Sequence, residues 1–205
     1  MYTGIIQALC EVISIEDKQG LRSFKVRLPK ELMEGLQTGA SIAVDGTCFT
    51  VVSFLEDIVV FDAMKETLEK TTIGLLKEND RVNIERSAKM GDEIGGHVMS
   101  GHVSTKAKII HVEESENNKV DTFQVDPEWM KYIFSKGFVG LDGASLTVVD
   151  ADQEKGTFKV WFIPETLERT RFGLKEVGDE VNVEIDTWTQ LVVDTTEKYL
   201  NSQKK

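Results

Sequence analysis

The sequence predicts an all-β protein made of one small unit repeated in tandem, each copy a closed barrel or a sandwich, followed by a helix that is not repeated. Three observations carry this. Long stretches recur in constant order at nearly constant spacing, short runs alternate apolar and polar residues between Asp-Gly and similar turns, and the final stretch has no counterpart upstream.

The repeat comes first because it sets every boundary. Thr3-Gly4-Ile5-Ile6 returns as Ser100-Gly101-His102-Val103, and Val44-Asp45-Gly46-Thr47-Cys48-Phe49-Thr50-Val51-Val52 returns as Leu141-Asp142-Gly143-Ala144-Ser145-Leu146-Thr147-Val148-Val149, both displaced by 97 positions (101 − 4 and 143 − 46). Glu66-Thr67-Leu68-Glu69-Lys70-Thr71 returns as Glu165-Thr166-Leu167-Glu168-Arg169-Thr170, displaced by 99 (165 − 66). Two extra residues are therefore expected in the second copy, in the loop at 150–156. The chain divides into a first unit at 1–97, a second at 98–186 and a terminal segment at 187–205.

Within the first copy, residues 7–15 alternate as half-buried strands do, and 41–44, 50–54, 58–63 and 81–85 continue the set. The second copy follows with 105–112, 140–141, 147–149, 157–163 and 180–185. Closure is how such short-stranded sheets remove their edges. Pro29 and Pro127 each suit the first position of a short helix, with Asp126 as N-cap and Gly137 as the stop of the second. Residues 66–75 and 165–174 read as further short helices. Over 187–200, Trp188, Leu191, Thr195 and Tyr199, widened by Val192, recur at helical spacing and predict an amphipathic helix. Packing on its own barrel is one reading, but association with copies of itself is favoured because both barrels close without it. Lys204-Lys205 reads as a solvated tail.

A formal net charge of −11 over 205 residues supplies no general basic surface for nucleic acid. The opening Met1-Tyr2-Thr3-Gly4-Ile5-Ile6-Gln7 lacks the basic start and apolar run of a signal peptide, and no stretch approaches the ~18 apolar residues of a membrane span, so a cytoplasmic protein without membrane association is expected. Cys10 and Cys48 are expected as reduced thiols. Cys10 reads as a small buried hydrophobe, whereas Cys48, just past Asp45-Gly46-Thr47, is placed to face a cleft.

Chemistry concentrates at Gly95-Gly96-His97-Val98-Met99-Ser100-Gly101-His102-Val103, the seam between the copies. Glycine permits close approach to the backbone and imidazole moves protons near neutral pH; a connector with surface histidines is the alternative reading. Shared positions, Gly4/Gly101, Gly46/Gly143, Thr50/Thr147, Glu66/Glu165 and Thr67/Thr166, point to shared fold or shared ligand. Ile5/His102, Cys48/Ser145 and Lys65/Pro164 differ, so the halves are expected to bind one kind of molecule and treat it unequally. A histidine can move a proton, and a thiol or hydroxyl can add to an electrophilic carbon or hydrogen-bond the adduct. His97 and His102, five apart, face opposite sides of an extended chain, so no metal site is expected. His111 reads as a surface or satisfied core residue. Asp186 either orients a partner or caps the terminal helix.

Met1 to Ile6, Gly39 to Val51, Gly95 to Val103 and Gly143 to Val148 closely resemble the riboflavin synthase (alpha subunit) family, and the likeness runs over nearly the whole chain. It implies two six-stranded Greek-key barrels and a homotrimer held by C-terminal helices. It also implies dismutation of two 6,7-dimethyl-8-ribityllumazine molecules by four-carbon transfer, giving riboflavin and 5-amino-6-ribitylamino-2,4-pyrimidinedione without metal or redox cofactor. The site implied lies between the first barrel of one subunit and the second of another. Ser41 and Cys48 would come from the first, His102, Ser145, Thr147 and Asp186 from the second, with His97 matching a family histidine at the seam. His102, through Thr147, would help remove a proton from the 7-methyl group, and Cys48 or Ser145 would assist addition at the other ring. Ligand contacts implied are Gly4, Ile5, Ile6, Cys48, Phe49, Thr50, Asp62, Ala63, Met64, Lys65, Glu66, Thr67, Gly101, His102 and Val103. Their second-barrel partners are Lys136, Ser145, Leu146, Thr147, Trp161, Phe162, Ile163, Pro164, Glu165 and Thr166. One departure is Tyr2, where the family usually has Phe; altered rate or affinity is the most expected of it. Non-catalytic antenna proteins that bind lumazine or flavin share this fold, and reactive residues in both halves favour catalysis.

Overall fold

In the computed structural model, which describes residues 1–116 and 118–203, two closed antiparallel barrels follow one another along the chain. The Lys204-Lys205 tail lies outside the described residues. The first barrel is β1 (Ala8–Lys18), β2 (Leu21–Arg27), β3 (Ser41–Val44), β4 (Thr47–Leu55), β5 (Ile58–Met64) and β6 (Arg81–Arg86), closed in the order β1-β2-β5-β4-β3-β6. It carries α1 (Lys30–Met33), α2 (Lys65–Lys70) and a 3-10 turn at Thr72–Leu75. The second repeats it with β7 (Thr105–Glu114), β8 (Lys119–Gln124), β9 (Phe138–Leu141), β10 (Ala144–Asp152), β11 (Thr157–Phe162) and β12 (Glu180–Ile185), inserting α3 (Pro127–Met130), α4 (Pro164–Arg169) and a 3-10 turn at Arg171–Gly173. Closure in the order β7-β8-β11-β10-β9-β12 is the same Greek-key path.

The two inserted residues fall where expected: Glu56 and Asp57 alone join β4 to β5, whereas four residues join β10 to β11. The register breaks also recur, between Val12 and Ser14 and between Val51 and Ser53, then between Ile109 and His111 and between Val148 and Asp150. Bulges at matching places give both barrels the same bend. Asp45-Gly46 and Asp142-Gly143 have positive φ at both residues (44° and 75°, 42° and 83°), the type I′ hairpin turn that matches strand twist.

Sequence reading passed over β2 and β8. In β2 the inward Phe24 and Val26 alternate with polar residues, so the signal was present; in β8 it is masked because Lys119 and Asp121 are buried. The helices expected at 66–75 and 165–174 each break in two. Thr71 is extended and its hydroxyl donates to the Thr67 carbonyl while accepting from Ile73 N, which ends α2 and starts the 3-10 turn; Thr170 does the same after α4. Pro127 sits in the first turn of α3 behind its Asp126 cap, but Pro29 is itself the N-cap of α1, and α3 ends by Lys131, well before Gly137.

Each 3-10 turn is pegged by a cation from the second strand of its barrel. Arg22 donates to the carbonyls of Ile73 and Gly74 at 3.1 Å, and Lys119, its counterpart, donates to those of Phe172 and Lys175 at 2.7 Å. The barrels are filled by two separate apolar cores. α5 (Thr187–Ser202) lies on the second barrel through Val193, a Tyr132–Asp194 hydrogen bond of 2.6 Å and a Lys131–Glu197 pair of 2.6 Å. The stripe of Trp188, Leu191, Val192 and Tyr199 faces away from it, with Trp188 71% exposed, so that face does not pack on its own barrel. No helix among the described residues is long and apolar enough to cross a membrane.

Candidate functional site

A strand shows alternate side chains to opposite faces, and this decides which predicted residues can meet a ligand. On the first barrel Val44, Phe49, Val51, Phe61 and Ala63 point into the core, so Ser41, Cys48, Thr50, Asp62 and Met64 lie on the outer face. Register places Ser41 beside Thr50 and Ala43 beside Cys48. On the second barrel Val139, Leu146, Val160 and Phe162 point inward, leaving Phe138, Ser145, Thr147 and Trp161 outside. Of the expected contacts, Phe49, Ala63, Leu146 and Phe162 therefore have core side chains, and only their backbone is available to a ligand. Trp161 is 57% and Phe138 50% exposed, an open aromatic surface.

The segments before each barrel cross over. Tyr2 and Met99, which are counterparts in the repeat, exchange backbone hydrogen bonds (2.8 and 3.0 Å) across the approximate twofold axis between the barrels. Cys48 N donates to Gly101 O at 2.9 Å, and Ser145 N donates to Gly4 O at 2.8 Å. Residues 101–103 therefore edge the first cluster, with Cys48, Thr50, Asp62, Met64 and, at the start of α2, Lys65, Glu66 and Thr67. Residues 4–6 edge the second, where they line a cavity of about 330 Å³ with Ser145, Leu146, Glu165, Thr166, Arg169 and Thr170. Trp161, Ile163 and Pro164 lead into α4 at this cluster, and Lys136, which donates to Val148 O, sits next to Thr147.

This corrects one grouping. His102 was placed with Ser145 and Thr147 from its position in the second copy, but the crossover puts it, exposed, beside Cys48 of its own chain.

Two buried carboxylates hold the crossing segments. Glu85 accepts from Thr3 N, Thr3 Oγ1 and Gly4 N (2.6, 2.8 and 3.1 Å), and Glu184 accepts from Ser100 N, Ser100 Oγ and Gly101 N (2.6, 2.8 and 3.0 Å). Burial pushes both carboxyls above the usual range while those donors pull them back. Neither was found from sequence, although both sit at the repeat's own displacement (184 − 85 = 99), two residues after Asn83 and Asn182, which are displaced alike (182 − 83 = 99).

The reactive groups differ. Cys48 Sγ accepts a hydrogen bond from the buried Tyr2 hydroxyl at 3.0 Å, and burial raises the Tyr2 phenol far above its ordinary value. Ser145 Oγ lies 2.6 Å from His97 Nδ1, and the imidazole stacks on Phe138 with ring centroids 5.3 Å apart. Burial lowers the His97 pKa and the Asp186 charge pulls it back up. The ring is thus neutral at neutral pH, able to take the serine proton at Nδ1. Asp186 caps α5, accepting from Thr189 N and Oγ1 at 2.8 and 2.7 Å, which is the capping alternative. Cys10 is buried and its thiol is pushed up to about 12 by desolvation, while His111 lies exposed 3.3 Å from Glu113.

Comparison with known proteins agrees with this duplicated framework. The lumazine binding domain model matches twice, at residues 3–87 and 100–186. Riboflavin synthase of Escherichia coli (strain K12) is 49% identical over 205 residues, covering 100% of this chain and 95% of that protein. Riboflavin synthase of Chlamydia pneumoniae is 43% identical over 205 residues and covers 100% of both. The crystal structure of LumP complexed with riboflavin superposes with a TM-score of 0.85 at 23% identity, covering 91% of this chain and 100% of that one. LumP complexed with 6,7-dimethyl-8-(1'-D-ribityl) lumazine gives 0.82 at 22% with the same coverage, and at such identities the likeness is one of fold. Two matched lumazine-binding units and full-length identity of this degree establish that the chain belongs to the riboflavin synthase family.

Proposed function

We propose that this protein dismutates two molecules of 6,7-dimethyl-8-ribityllumazine: a four-carbon unit passes from one to the other, giving riboflavin and 5-amino-6-ribitylamino-2,4-pyrimidinedione. The observation that carries the reading is the pair of half-sites, alike in framework and unlike in reactive groups, Cys48 with Tyr2 in one and Ser145 with His97 in the other. A reaction whose donor and acceptor are the same compound needs that combination.

The first half-site of one subunit faces the second half-site of its neighbour in a homotrimer in the cytoplasm. The exposure of Trp161, Phe138 and the α5 stripe supports this, because each is apolar surface that a neighbour would cover. His102 and Thr147, which lie in different half-sites of one chain, then meet across the subunit boundary and remove a proton from the acidic 7-methyl group. His97 holds the Ser145 hydroxyl ready to hydrogen-bond or add to the second ring, and Cys48 serves the first. Thr50, Asp62, Lys136 and the backbone at 49, 63, 146 and 162 bind and align the rings. Stacking two rings in register supplies orientation worth roughly 7–11 kcal/mol. Purified protein given 6,7-dimethyl-8-ribityllumazine is expected to form one riboflavin for every two substrate molecules, read by absorbance; tight binding without product would refute the reading. Sedimentation of the native chain tests the trimer.

A further inference from the structure

The two half-sites are joined inside one chain by a buried polar line that the duplication has left lopsided. At its centre the Asp45-Gly46 and Asp142-Gly143 turns meet back to back, close enough that a Cβ on Gly46 would lie 2.6 Å from Gly143 N. Most contacts around them are paired. Asn83 N donates to Asp45 Oδ1 and Asn182 N to Asp142 Oδ1 (2.8 and 2.7 Å), while Asn83 Nδ2 donates to Asp142 O and Asn182 Nδ2 to Asp45 O (2.9 and 2.8 Å).

The cations break the pairing. Arg171, which directly follows the Thr170 cap of α4, is largely buried and crosses to the first barrel, where its guanidinium donates to Asp45 Oδ2 and its backbone N donates to Asn83 Oδ1 at 2.9 Å. Its counterpart in the first copy is Thr72 (171 − 72 = 99), whose buried hydroxyl has no hydrogen-bond partner among the described residues. Asp142 receives no such crossing. Its nearest cation among the described residues, Lys175, comes from its own barrel at 3.5 Å, and its Oδ2 has no hydrogen bond among them.

We propose that Arg171 is a positioning residue for the first half-site. Rooted behind α4, which lines the cavity of the second half-site, it grips the turn from which β4 carries Cys48 and Thr50 to the outer face. The inference rests on the function proposed above. Cys48 is the third residue after Asp45, and Gly46 between them packs against Gly143, so a loosened Asp45 is felt at the thiol. Burial pushes the Asp45 carboxyl up to about 6 against the pull of Arg171, with Asp142 raising it further and Lys175 opposing; the charges of Asp142 and Asp80 also act on Arg171.

The test compares Arg171→Met, Arg171→Lys and the double variant Arg171→Met/Asp45→Asn. Arg171→Met is expected to lower kcat for riboflavin formation at least tenfold at pH 8 with KM within threefold, and to lose less at pH 6, where Asp45 takes up a proton. Arg171→Lys should recover most of the loss, and the double variant should remove the added pH dependence. Iodoacetamide alkylation of Cys48, with buried Cys10 as the slow internal reference, should change at least threefold in Arg171→Met. Folded Arg171→Met with kcat, pH profile and Cys48 alkylation all within twofold of the parent overturns the proposal. So does a loss that merely follows the fraction of folded protein. A parent chain that makes no riboflavin would refute the function instead, and the alkylation rates would still decide the role of Arg171.

Discussion

Replacing Asp121 by asparagine should stabilise the protein at neutral pH, although it deletes half of a buried ion pair. Asp121 points into the second barrel at the place where the first has Phe24 (121 − 24 = 97), is 0% exposed, and among the described residues has no hydrogen bond to either carboxylate oxygen. Lys119 lies 3.6 Å away but already spends its ammonium on the Phe172 and Lys175 carbonyls. Desolvation outweighs that attraction and carries the Asp121 pKa from its ordinary 3.8 to about 6. A carboxyl raised on folding leaves stability intact below its unfolded pKa and removes it as pH rises through the folded one. From 3.8 to about 6 the loss amounts to about 3 kcal/mol, complete above pH 7. Asparagine stays neutral and keeps the shape. Urea unfolding at fixed protein concentration should show parent and variant alike near pH 4 and separated by about 3 kcal/mol at pH 8. A variant less stable than the parent at pH 8, or a difference that does not grow with pH, would show that Lys119 needs this partner and that the burial argument is wrong.

Four further expectations follow from the site and the seam. His97→Asn keeps a nitrogen near Ser145 but cannot take its proton, so kcat should fall roughly a hundredfold with KM nearly unchanged; a loss under threefold would remove His97 from the chemistry. In the parent, kcat should hold to a lower pH than an ordinary imidazole would allow, and decline as the depressed His97 pKa is crossed and the ring gains its proton. Tyr2→Phe removes only the hydroxyl donated to Cys48 Sγ, a weak acceptor, and should cost under about 1 kcal/mol of stability and no more than severalfold in turnover. No change in turnover or ligand binding would show that the hydroxyl does not matter. Gly46→Ala combines a φ of +75° with a 2.6 Å collision against Gly143 N, and thermal unfolding should report a loss above about 3 kcal/mol. A loss near 1 kcal/mol would mean the two turns can part cheaply.

What could be read from sequence was whatever is local or repeated. Alternation at 7–15 and 105–112 and the Asp-Gly turns place strands because each signal lies within a few residues. The 97-then-99 displacement located the hairpin insertion and set Cys48 against Ser145. Features that depend on where distant segments meet stayed hidden. His97 and Ser145 are 48 residues apart, so no local signal joins them. His102 was assigned to the barrel it precedes, since nothing local announces that the preceding segment crosses over. Lys119 and Asp121 broke the alternation of β8, a buried charge pair imitating a surface strand. The break at Thr71 was missed because threonine is admissible within a helix and only its hydrogen bond to Thr67 ends this one.

The Tyr2–Met99 exchange has a consequence for how this molecule comes apart. Each barrel's outer wall includes a strip that belongs, in chain order, to the start of the other, and each strip is pinned at one glycine, Gly4 or Gly101, whose N donates to a carboxylate of its own barrel and whose carbonyl accepts from the backbone of the opposite one. Opening either barrel pulls a strip from its neighbour and exposes Glu85 or Glu184 without donors. The halves therefore cannot melt in turn, as beads on a string would, and calorimetry should find a single transition whose enthalpy is that of the whole chain.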